Sequence, residues 1–73
     1  MNRIMDQTFN QCAEVWPLHL ETRRMENKWE WFVQDASNNM RLASGFALSM
    51  EKAKAQAALA AGARNPNWYS VPA

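Results

Sequence analysis

One cysteine in 73 residues excludes an internal disulfide, and with a single histidine beside it the chain offers no Cys/His cluster for a closed zinc site. Two glycines are too few for a loop that cradles phosphates. Neither charge is in surplus: eight basic and seven acidic side chains give a formal net charge of +1, and they alternate in sign without forming a tail. A protein that lives by neutralising phosphates carries a Lys/Arg excess, because its affinity comes from counterion release. That excess is missing. No run approaches the roughly 18 apolar residues of a membrane span, and Met1 to Asn10 carries Asp6 among polar residues where a signal peptide needs an apolar stretch. These absences describe a soluble, cytoplasmic chain with no membrane partner, and a free Cys12 fits a reducing compartment.

What is present is alanine and aromatics. Of the 35 hydrophobic residues 12 are Ala, which leaves 23 larger apolar side chains, among them four Trp and three Phe, to build a core. A chain of this length buries only about three-fifths of its unfolded surface and supports one core. With neither disulfide nor metal predicted, stability must come from packing or from a partner.

The hydrophobic period changes along the chain. Phe9, Cys12, Ala13 and Trp16 stand at the i, i+3, i+4, i+7 spacing of a helical face, which predicts a helix over 6–16 that stops before Pro17. Alternation then predicts strands over 18–24, 28–35 and 40–48, joined by turns at Met25 to Lys28 and Asp35 to Asn39. Gly45 inside the third strand marks a bulge or a close backbone approach. Ser49 as cap, Glu51 in the first turn and Gly62 as stop predict a helix over 50–61, whose buried stripe of Met50, Ala53, Ala57, Ala60 and Ala61 is nearly all Ala. Such a stripe lets the helix sit close on a sheet whose Trp29 and Trp31 supply the bulk. The 65–73 aromatic tail is either a fourth, edge strand or an arm packed on the core. The predicted fold is a small α+β domain of α-β-β-β-α order, a three-stranded antiparallel sheet packed by an Ala-rich C-terminal helix.

No catalytic constellation accompanies these elements. His19 falls on the polar side of the first predicted strand with Glu21 and Arg23, and reads as a surface histidine among charges. Cys12 falls on the apolar face of the predicted first helix and reads as a buried, inert thiol. Glu26 and Glu30 flank a turn as solvated charges. The chain therefore reads as a non-enzyme with no cofactor and no metal.

Phe32 points away from the Trp face, where His19, Glu21, Arg23 and Arg41 complete a mixed polar and aromatic patch. That patch is either a partner contact or an ordinary solvated sheet face. Trp68 and Tyr69 either close the core or anchor a partner, being residue types common at binding hot spots.

Ser49, Lys52, Ala53, Lys54, Ala57 and Ala58, in this order after the last predicted strand, resemble the second half of a double-stranded-RNA-binding domain, with Met50 and Glu51 where that family carries adjacent lysines. The resemblance covers the last third of the chain and implies the α-β-β-β-α fold, with Lys52 and Lys54 at RNA phosphates. The charge balance and the aromatics point first to a small non-catalytic protein-binding module, of a size common among bacterial and bacteriophage accessory or inhibitor proteins, with contacts through Phe32, Arg23, Arg41, His19, Trp68 and Tyr69. Double-stranded RNA is the alternative partner, and an exposed edge strand also allows a homodimer.

Overall fold

A computed structural model describes residues 9–72. Its elements run β1 (Phe9–Val15), β2 (Leu18–Arg24), β3 (Trp29–Asp35), β4 (Met40–Ala47), α1 (Met50–Ala61) and β5 (Tyr69–Pro72). The strands form one five-stranded sheet in the order β4-β3-β2-β1-β5, with every neighbouring pair antiparallel. The first four strands are a meander. After α1 the chain returns to the far edge and lays β5 against β1.

This corrects the predicted α-β-β-β-α order and its three-stranded sheet. Residues 9–15 of the predicted 6–16 helix are β1; its first residues lie outside the described part. The helical spacing of Phe9, Cys12, Ala13 and Trp16 competes with an alternation that sets Ala13 and Val15 on one side and Asn10, Cys12 and Glu14 on the other. Windows this short carry both periods. Pairing decides between them: β1 finds β2 across the two-residue turn Trp16-Pro17 and β5 on its other side, whereas an isolated helix of this length is marginal in water. Pro17 therefore shapes a hairpin turn, with a cis bond from Trp16, where the spacing implied a helix stop.

The other turns follow from local chemistry. Asp35 accepts from the Ser37 amide (2.9 Å) and hydroxyl (2.6 Å), and Asn39 takes the left-handed conformation at φ 58°. In α1 the Ser49 hydroxyl accepts from the Lys52 amide at 3.2 Å. Gly62 at φ 69° closes the helix, its amide reaching Leu59 O while the Ala63 amide reaches Ala58 O.

One sheet face carries α1. Ala13, Leu20, Trp31, Val33 and Ala47 are buried there against Ala53 and Ala57, with Trp29 and Trp68 packed at the margin. The approach is close because the helix contributes Ala alone to this buried set; Met50 and Ala61 are half-buried and Ala60 is exposed. Trp31 fills the space between sheet and helix and donates its indole N–H to Gln56 at 2.7 Å. Its ring covers Gly45, where any Cβ would stand 2.8 Å from indole atoms. The close approach at Gly45 is thus to a side chain, and the ladder irregularity lies three residues earlier, where Val33 and Gln34 pair with Ala43 and Arg41 and leave Leu42 as the extra residue.

Thr22 shares this face, fully buried, and its hydroxyl has no hydrogen-bond partner among the described residues. A buried hydroxyl without a partner costs about 1–3 kcal/mol. Thr22→Val keeps the shape and β-branching, and is expected to leave the fold unchanged and raise stability by about 1 kcal/mol in urea denaturation.

Candidate functional site

The sheet face opposite α1 carries no second layer among the described elements. Cross-strand register sets its residues in rows: Tyr69, Cys12, Glu21, Phe32 and Ser44 in one, Glu14, His19, Gln34 and Arg41 in the next, Arg23, Glu30 and Phe46 in a third. His19, Arg23, Phe32 and Arg41, which the sequence assigned to one face, do share it. Phe32 was expected to be open to solvent; it is only 2% exposed. The cover comes from its neighbours: the Arg23 guanidinium stands 5.0 Å and that of Arg41 4.1 Å from the ring centre, approaching from β2 and β4. Each arginine is tethered, Arg23 to Glu21 at 2.7 Å and Arg41 to Glu30 at 3.5 Å. Lys28 lies over Phe46 in the same way, at 4.4 Å.

Beside this aromatic cluster lies a titratable one. Cys12 and Glu14 of β1 pair directly with Glu21 and His19 of β2, so the four side chains form a square on one face. The His19 ring is bonded at both nitrogens, Nδ1 to Glu14 at 2.6 Å and Nε2 to Glu21 at 3.2 Å. The Tyr69 hydroxyl donates to the same Glu14 oxygen at 2.7 Å. Tyr69 is thereby a partner of this cluster, while Trp68, on the helix side, packs at the core margin with Lys54 5.5 Å from its ring. Lys52 is exposed on α1.

Burial, then the nearby Glu21 and Glu14 carboxylates, push the Cys12 thiol up to about 11, which favours its protonated form at neutral pH. It is a buried thiol, but on a strand and among carboxylates, not on the apolar face of a helix. Burial pulls the His19 pKa down, yet the hydrogen bonds to Glu21 and Glu14 and their charges outweigh it and hold the value above 6.5. Burial would raise Glu21, and the bonds and charges of Arg23 and His19 outweigh it in turn and hold Glu21 below 4.5. The bond to Glu14 raises the Tyr69 hydroxyl to about 12.

These shifts set a pH window. The imidazolium gains in the folded state, so its contribution is complete below pH 6.5 and is lost as pH rises through the folded value. Glu21 contributes above pH 4.5 and loses this as pH falls through its own folded value. Both are complete between 4.5 and 6.5. Around His19 stand Glu14 from β1, Glu21 from its own strand and the neutral Gln34 from β3. In metal-free buffer the melting temperature is expected to be higher at pH 5.5 than at pH 8, and His19→Gln to reduce that difference.

The sequence missed the square because it set Cys12 on a helix and never opposed it to β2. The signal was the alternation Asn10, Cys12, Glu14 against His19, Glu21, Arg23 across Trp16-Pro17.

A third feature is the edge of β4. Met40, Leu42 and Phe46 on the strand and Leu48 just after it are 60%, 56%, 53% and 81% exposed, and no described strand pairs with the outer side of β4. A shallow groove of about 350 Å³ between α1 and Pro66 to Trp68 is lined by Glu51, Lys54, Ala55 and Ala58. Comparison with family models, with curated proteins and with solved structures finds no match to this chain.

Proposed function

We propose that this chain is a small non-catalytic module that binds another protein by adding a strand of the partner to β4. The observation that supports it is the eight-residue β4, whose outer side no described strand pairs, with the exposed apolar side chains of Met40, Leu42 and Phe46 on it and Leu48 just after it. Isolated exposed apolar residues such as Trp16 and Leu59 are ordinary on small proteins, but three on one strand whose outer side no described strand pairs, with a fourth just after it, are the pattern that folded proteins guard against. An extended apolar segment fits: its main chain completes the ladder and its alternate side chains meet the exposed ones. Phe32, held under two arginines, supports the face without offering a contact; Arg23 and Arg41 are tethered to carboxylates.

Selection from a displayed library of random peptides tests this. Segments of alternating apolar residues should be enriched, and their binding should fall at least tenfold in Leu42→Lys and Phe46→Lys and stay unchanged in Leu59→Lys on α1. Binders indifferent to the β4 variants would overturn the reading. So would duplex-RNA binding that falls steeply with salt and is lost in Lys52→Glu/Lys54→Glu.

A further inference from the structure

We propose that Cys12, His19 and Glu21 form a binding site for Zn²⁺ on the open sheet face. The site is independent of the β4 edge and of any protein partner. One ligand atom from each residue, a thiol sulfur, a ring nitrogen and a carboxylate oxygen, lies within 4.8 Å of the other two. In tetrahedral zinc, with bonds of about 2.0–2.3 Å, neighbouring ligand atoms stand roughly 3.3–3.6 Å apart. His19 Nε2 and Glu21 Oε1 are already 3.2 Å apart, so closure asks mainly for a small movement of the Cys12 sulfur.

The surroundings orient these atoms as the partners of metal ligands do. Glu14 Oε2 lies 2.6 Å from His19 Nδ1 and holds the proton on that nitrogen, while Nε2 faces Glu21. A carboxylate behind the imidazole is the usual support of a zinc-bound histidine. The Tyr69 hydroxyl holds that same Glu14 oxygen at 2.7 Å. Arg23 engages Glu21 through Oε2 at 2.7 Å and leaves Oε1 for the ion. Cys12, His19 and Glu21 are all buried or half-buried, and rigid antiparallel pairing fixes Cys12 opposite Glu21.

The ligand set selects the ion. A thiolate with an imidazole favours zinc over magnesium or calcium, which take oxygen ligands throughout. On binding, the Cys12 sulfur gives up its thiol proton and the His19 imidazolium its Nε2 proton, both to solvent, and each atom takes the metal in place of the proton. Thiolate and carboxylate then balance the charge of the ion. Three protein ligands leave a fourth position for water.

Cobalt chloride, as a spectroscopic substitute for zinc, tests the site on the intact chain. The expected result is one Co²⁺ per chain with a thiolate-to-cobalt charge-transfer band, and loss of the band when Zn²⁺ is added. Cys12→Ser should abolish the band. Glu14→Gln should keep it while weakening affinity about 10–100-fold, as for a group that acts through the histidine. Absence of a charge-transfer band from the wild-type chain at millimolar Co²⁺ overturns the proposal, and so does a band that survives Cys12→Ser. The wild-type spectrum alone decides if a variant fails to fold.

Discussion

Phe32→Ala is expected to destabilise the fold by about 3–5 kcal/mol, the range for truncating a buried aromatic. For a small domain, whose whole stability is of order 5–15 kcal/mol, that is a large share. The side chain sits on the face without a helix, yet it is as buried as the core residues beneath α1. Its removal takes away the ring on which the Arg23 and Arg41 guanidinium groups lie, and these groups cannot collapse into the cavity without leaving Glu21 and Glu30. Urea denaturation reads the effect directly. A loss below about 1 kcal/mol would mean that Phe32 is the exposed contact its alternation with Glu30 and Gln34 suggests.

Gly45→Ala should cost about 1–3 kcal/mol, the range for overpacking a well-filled core. The new Cβ would meet Trp31 ring atoms at 2.8 to 2.9 Å. The indole is held by the hydrogen bond from its Nε1, one of the atoms the Cβ would meet, to Gln56, so moving it also strains that bond. Trp31→Leu removes the ring atoms that clash. In that background the penalty of Gly45→Ala should shrink to a few tenths of a kcal/mol, and a double-mutant cycle gives the coupling. An equal penalty in both backgrounds would place the cost in the backbone of β4 instead.

The elements legible in the sequence are those with one dominant local signal. The alternation of Leu18, Leu20 and Thr22 and of Trp29, Trp31 and Val33 has no competing helical period, and the helix from Met50 to Ala61 is bounded by a capping serine and a left-handed glycine. β1 was not legible, since its seven residues carry both periods and only the pairing with β2 and β5 chooses between them. β5 is four residues long and owes its strand character to β1 alone. The candidate site shows the same division. His19, Arg23, Phe32 and Arg41 share a face because alternation within strands is local. The square of Cys12, Glu14, His19 and Glu21 depends on register between strands, and the cover over Phe32 depends on where two long arginine side chains come to rest.

The pairing of Phe9 with Pro72 brings the two ends of the described chain side by side at the β1/β5 margin. Strands are about 4.8 Å apart across a sheet, so β5 and β4 are separated by roughly 19 Å. Phe9 and Pro72 thus lie together at the margin farthest from β4. A tether fixed on β5, the strand farthest from β4, would present β4 outward.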